Sequence, residues 1–262
     1  MTNAALHVAR TGLDAQNHRM QVIANNLANV NTTGFKRDRA AFETLAYQSI
    51  KDAGAPSSDQ NQYATGLNLG SGVQIMGTSR IDTQGGMQTT GNSLDLAVQG
   101  AGFFQVLQPN GETAYTRDGN FSLSSEGTIV TSDGLPLQPQ IQIPDGATGI
   151  SIAGDGTVSA TLQGQKDASV VGKIQTTRFM NPAGLKALGG NLLTETAASG
   201  APQTGDPGTD GRGSLQQGNL ESSNVNIVEE LVDMIETQRA YEVNSKMIKA
   251  TDEMLQYANQ QL

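Results

Sequence analysis

Residues suited to proton transfer or metal binding are few and far apart. The two histidines are His7 and His18. On a helix they would share roughly one face but stand ~16 Å apart along its axis, too far for one metal ion. They read as exposed helix residues. A serine nucleophile needs a tight elbow, and Gly70-Ser71-Gly72 lacks the Gly-x-Ser-x-Gly form. Gly66 to Gly72 begins like a phosphate loop but has no Gly-Lys-Ser/Thr ending, and Gly100-Ala101-Gly102 lacks the third glycine of a dinucleotide fingerprint. Gly154-Asp155-Gly156 and the Asp206–Gly213 stretch place acids in Gly-rich turns without the spacing of known calcium loops. Asp145 and Asp155 read as turn acids. With no cysteine in the chain, thiol nucleophiles, disulfides and thiolate metal sites are excluded. The expectation is a protein that is no enzyme and that has no cofactor, no metal and no catalytic residues.

Bulk properties agree with a structural or interaction role. The 262 residues carry a formal net charge of −9, so a nucleic-acid partner is not expected. Hydrophobic residues make up 36% and aromatics 4%, with no Trp and 31 Gly. That composition suits small β units with thin cores better than one thick globule. No apolar run is long enough to cross a bilayer. The N-terminal stretch lacks the basic start and apolar middle of a cleaved signal peptide, so export would need another route.

The elements that would hold such surfaces are arranged symmetrically. Leu6, Leu13, Met20 and Leu27 recur every seventh position, with Ile23 beside them, predicting a long N-terminal helix that stops near Thr32-Thr33-Gly34. Ile227, Met234, Tyr241, Ile248 and Leu255 recur likewise near the C-terminus, widened by Leu231. Asn226 followed by Glu229 resembles a helix cap. Stripes of this period need partners, either each other or other copies of the chain. Residues 1–40 hold five basic and two acidic side chains, residues 221–262 three basic and eight acidic, which favours association of the two ends. Between them, Asp52 to Gly72 reads as an extended connector. From Ser93 to Leu162, runs such as Phe103–Leu107, Tyr115–Arg117, Thr128–Thr131 and Ile141–Ile143 alternate with Asn-Gly and Asp-Gly turns, predicting antiparallel strands. Pro202 to Gly213 reads as a return linker.

Three stretches add a resemblance. Ala24-Asn25-Asn26-Leu27-Ala28-Asn29-Val30-Asn31-Thr32-Thr33-Gly34-Phe35-Lys36 resembles the signature of the flagellar rod and hook protein family. Leu94–Phe104 with Tyr115-Thr116-Arg117-Asp118-Gly119-Asn120-Phe121, and Gly218–Asn226 running into Glu229–Val232 and Gln238–Glu242, resemble the same family in the same order. The chain length and the insertion around Ala64–Val73 are most similar to the distal-rod branch, with a proximal rod member as the alternative. A secreted β-domain binding module is the alternative from another class.

The resemblance implies an α+β fold. Residues 1–34 and 221–262 would form a coiled-coil inner domain, 35–92 and 200–220 an extended or hairpin connection, and 93–199 a β-rich outer domain. It implies helical homopolymerisation into a hollow, torque-transmitting shaft. The implied partners are other copies of the chain, proximal rod and hook proteins, the peptidoglycan-ring and outer-membrane-ring bushings, the type III export apparatus and a rod cap. The implied location is the basal body, in a rod spanning the periplasm. Leu6, Leu13, Met20, Ile23, Leu27, Ile227, Leu231, Met234, Tyr241, Ile248 and Leu255 are the expected assembly contacts. Asn25, Asn26, Asn29 and Asn31 are expected to satisfy backbone groups where the first helix ends, and Phe35 to anchor the exit from it.

Overall fold

The computed structural model describes residues 2–54, 56–58, 61–164 and 168–260, with side chains described outside residues 2–4, 56–62, 255 and 258–260. The fold is α+β, two long terminal helices bracketing short, mainly antiparallel strands. Helix α1 spans Thr2–Ala28 and α2 spans Ile227–Gln260. The chain divides into two compact units, one of residues 1–28, 38–79 and 226–262, the other of residues 29–37 and 80–225.

In the first unit the helices run antiparallel. Asn26 meets Glu230, Arg19 meets Asp233 at 3.2 Å, and the backbone at Gly12 lies against Asn244, so positions rise on one helix as they fall on the other. Asn226 starts α2 by accepting a hydrogen bond from the Val228 amide at 3.1 Å, one of the four donors that a helix start leaves unpaired. Glu229 and Glu230 in its first turn complement the helix dipole. A two-stranded ladder of Asp38–Thr44 and Val73–Arg80 accompanies α1. A further ladder pairs Gln48–Lys51, just before the expected Asp52–Gly72 connector, with Leu67–Leu69 inside it.

The second unit is built on a sheet whose order runs Lys186–Gly189, Leu192–Thr194, Thr113–Thr116, Phe103–Leu107, Thr176–Arg178 and Gln203–Gly205, with Leu137–Gln138 also pairing with Phe103–Leu107. Alternation along Phe103–Leu107 feeds two cores. Phe104 and Val106 join a cluster with Leu96, Phe121, Ile129 and Leu137, while Phe103 on the other face joins Tyr115, Phe179 and Leu185. The aromatics meet edge to face, Phe104 on Phe121 at 5.1 Å and Tyr115 on Phe179 at 4.8 Å.

Two expectations change here. Ile141–Ile143 is not a strand: only Gln142 forms an isolated bridge, to Thr128, although both isoleucines are buried. Pro139 and Pro144 flank the run and cannot donate to a ladder. The expected return linker contributes Gln203–Gly205 to the large sheet.

Phe104 is fully buried, so Phe104→Ala is expected to lower the unfolding free energy of this unit by about 3–5 kcal/mol. Urea denaturation followed by circular dichroism checks it. A loss under ~1 kcal/mol would contradict the packing described.

Candidate assembly interface

The face that α2 turns to α1 is largely polar. Glu230 and Thr237 are buried, Asp233 pairs with Arg19, and Asn244 packs at Gly12. Asn26 of α1, also buried, organises the top of this seam. Its amide nitrogen donates to the Asp38 carbonyl at 2.8 Å and to both Glu230 carboxylate oxygens at 3.3 Å, while its oxygen accepts from the Asp38 amide at 2.9 Å. One side chain thus links the end of α1, the start of the following strand and the start of α2.

Away from that seam α2 leaves apolar side chains exposed among charged ones. Val228, Val232, Ile235, Val243, Met247 and Met254 are 50% exposed or more, Val228 reaching 70%. At 100° per residue they fall within an arc of about 120°, which they share with Glu229, Glu236, Arg239, Lys246 and Glu253. Among the described residues nothing covers these apolar side chains, which makes them candidates for docking.

The residues named from sequence distribute unevenly. Ile23 is buried, and Leu6, Leu13, Met20 and Leu27 are half-buried along α1. Met234 and Ile248 are half-buried, whereas Ile227, Leu231 and Tyr241 are exposed. The side chain of Leu255 lies outside the described residues. Of the asparagines, Asn26 bonds backbone groups as above, and Asn29 accepts from the Thr32 hydroxyl at 3.2 Å. Asn25 and Asn31 are exposed, and Phe35 is half-buried. Both histidines are exposed, and His7 lies 3.2 Å from the Ser71 carbonyl.

Sequence reading left one constellation unassigned, in the second unit. Glu221 is buried with its side chain 1% exposed between Lys36 and Arg117. The Lys36 ammonium donates to one Glu221 oxygen at 2.5 Å and to the Thr83 carbonyl at 2.8 Å. Arg117 donates through Nε to the other oxygen at 2.6 Å, and its remaining nitrogens reach the carbonyls of Val98, Gly100 and Gly102. The Gly85 amide adds a bond of 2.9 Å to the carboxylate. Burial acts to raise the Glu221 carboxyl pKa. The Arg117 charge, the Lys36 hydrogen bond and the Gly85 amide outweigh it and hold the group below the usual glutamate range. Burial pushes the Lys36 ammonium down, and Glu221 opposes that shift.

Backbone geometry follows the same convergence. The Gly34 amide donates to the Glu221 carbonyl at 2.8 Å, and the Arg37 amide donates to the Asn224 side chain at 2.8 Å. Gly34 has φ +67°, and a Cβ there would stand 2.7 Å from the Arg117 carbonyl carbon. Glycine is required twice over, by conformation and by space. A signal was present in the sequence: Lys36, Arg117 and Glu221 each sit in one of the three family-like stretches. Nothing local, however, says that they meet.

Three family profiles match the chain. They are described as flagella basal body rod protein, over residues 6–36; flagellar hook protein FlgE/F/G D1 domain, over 97–160; and flagellar basal body rod FlgEFG protein C-terminal, over 216–261. The chain is 51% identical over 256 residues to the flagellar basal-body rod protein FlgG of Buchnera aphidicola subsp. Acyrthosiphon pisum, covering 98% of each chain. It is 49% identical over 257 residues to the protein of the same name from Caulobacter vibrioides, again covering 98% of each. The flagellar basal-body rod protein FlgF of that same bacterium is 37% identical over 265 residues, covering 98% of this chain and 97% of its own.

Two predictions rest on the buried carboxylate and its turn. Gly34→Ala is expected to destabilise the second unit by about 1–3 kcal/mol, read by thermal or urea denaturation. Because the folded Glu221 pKa is depressed, its stabilising contribution is fully present above the ordinary range, about 4.3. It is lost as pH falls through the lower folded value. Unfolding free energies measured from pH ~5 down to ~2.5 should therefore fall more steeply in the wild type than in Glu221→Gln. Parallel curves would exclude the linkage.

Proposed function

This chain belongs to the flagellar basal-body rod and hook protein family, and we propose that it polymerises helically through its terminal helices into the hollow distal segment of the rod. It is a structural component of the basal-body rod, a class that is not enzymatic. The FlgG-type reading is better supported than the FlgF-type one, since within a single bacterium the FlgG relative is the more similar.

The observation that carries the polymer is the division of faces on α2. The polar face is used up within the chain by Asn26, Arg19 and the residues around Gly12. The exposed apolar side chains of Val228, Val232, Ile235, Val243, Met247 and Met254, set among charged ones, would remain for other copies. Burying one such side chain contributes roughly 1.5–3 kcal/mol. Repeated over many subunits in a head-to-tail contact that does not close, this gives a helical polymer instead of a ring. Leu6, Leu13, Met20, Leu27, Ile227, Leu231 and Tyr241, which keep partial or full exposure, would complete the knobs of an inner coiled-coil layer. Residues 1–34 and 221–262 would form that layer, 35–92 and 200–220 the connection, and 93–199 the outward-facing β part.

The remaining roles come from the family. The rod would span the periplasm as a drive shaft, carrying torque to the hook. It would join proximal rod and hook proteins and pass through the peptidoglycan-ring and outer-membrane-ring bushings. Its subunits would leave the cell through the flagellar type III export apparatus without a cleaved signal and assemble beneath a rod cap.

The double variant Val232→Asp, Ile235→Asp tests the proposal. Both positions are exposed in the single chain, so its melting temperature should be unchanged. Charges introduced at a dry contact should raise the critical concentration for polymer formation by at least about a hundredfold. Sedimentation and electron microscopy read this: tubes with a narrow central channel in the wild type, monomers in the variant. Unaltered tubes from the variant would sink the proposal.

A further inference from the structure

The second unit contains its own two chain ends: the turn after α1, residues 29–37, and the strand before α2, Asn219–Glu221, with the residues that follow it. Both are held mainly through polar contacts, to each other and to the β framework. The first docks by Gly34 on Glu221, by Arg37 on Asn224 and by the Thr33 hydroxyl on Asp118 at 2.8 Å. The second docks by pairing with Met87–Thr89, by Ser222 on the Gly86 carbonyl at 2.8 Å, and by Asn224 on the carbonyls of Ile81 and Thr83 at 2.8 and 3.0 Å. Lys36 arrives with the first segment, Glu221 with the second, and Arg117 belongs to the framework.

We propose that Glu221 makes the docking of these two segments conditional on each other. If the return strand is absent, Lys36 would enter a site that already holds Arg117, and two cations would face each other out of water. They repel even in the completed site, where the Arg117 charge works against protonation of Lys36. Asp82 lies nearby but is engaged by Arg80 at 2.8 Å. If the turn is absent, Glu221 loses the Lys36 ammonium and the Gly34 amide. Each segment therefore docks well only when the other is in place. The turn leads out of α1 and the strand leads into α2, so the two segments of this unit that continue into the helices become ordered together. The inference stands on this unit alone, and its failure would leave the family assignment untouched.

Hydrogen exchange on the full-length monomer tests it, with Gly34 and Arg37 reporting the turn and Ser222 the return strand. Glu221→Gln keeps the shape but leaves two buried cations facing a neutral amide. Exchange at Gly34 and Arg37 should quicken by about a hundredfold. Adding Lys36→Met removes one of the cations, so the double variant should recover at least about tenfold of that loss. Lys36→Met alone should quicken exchange at Ser222, far away in sequence, by about tenfold. Independent losses that simply add in the double variant would overturn the proposal. So would Ser222 exchange that ignores Lys36→Met. If Glu221→Gln fails to fold, folding restored by Lys36→Met supports the proposal. If neither variant folds, Ser222 in the Lys36→Met protein decides it.

Discussion

A carboxylate taken out of water must be matched or it unfolds its surroundings, and this constraint at Glu221 organises the β unit. The ionised group is acceptable only because Lys36, Arg117 and the Gly85 amide supply its charge partners and donors. Those partners dictate where the backbone must pass. Gly34 has to cross Arg117 closely enough to forbid a side chain, and Arg117 has to be cradled by the carbonyls of Val98, Gly100 and Gly102. Replacing the trio with apolar side chains of equal volume could be as stable. It would lose the restriction on which strand may close the site.

The helical unit obeys a complementary logic. A chain that must both hold itself together and associate with copies of itself needs two distinct helix faces. On α2 the intramolecular face carries Glu230 and Asp233, which bond Asn26 and Arg19 of α1, with Thr237 buried and Asn244 packed at Gly12, so that one orientation and register is selected. The exposed aliphatic and thioether side chains of α2 are of a kind that would tolerate small shifts between neighbours in the proposed polymer. Polar specificity inside and adaptable apolar contact outside would be a workable division for the polymer proposed above.

Much of this was legible in the sequence because it is local. Helix period, Asn226 as a cap, and turn residues between short strands are encoded within a few positions, and the three family-like stretches are contiguous. What escaped was non-local or polar. A heptad reading looks only for apolar positions, so it passes over Glu230 and Thr237, which are buried. Ile141–Ile143 looked like a strand by composition, and only the flanking prolines argued otherwise. Lys36, Arg117 and Glu221 were in view as letters of three motifs. Their meeting depends on packing that no single stretch specifies.

The placement of the two chain ends on one β framework also bears on how fast the helices can find each other. Asn26 and Glu230 are 204 residues apart along the chain. Closing a flexible loop of that length is entropically expensive and slow. Once Gly34 rests on Glu221, the free chain between Asn26 and Glu230 shrinks to about 17 residues, and the closure cost falls by roughly 2 kcal/mol. A long-range search becomes the closing of a short hairpin. The order of events then favours β framework first and helix pair second. The adhesive stripe on α2 would acquire its intramolecular backing only after the body of the subunit is complete.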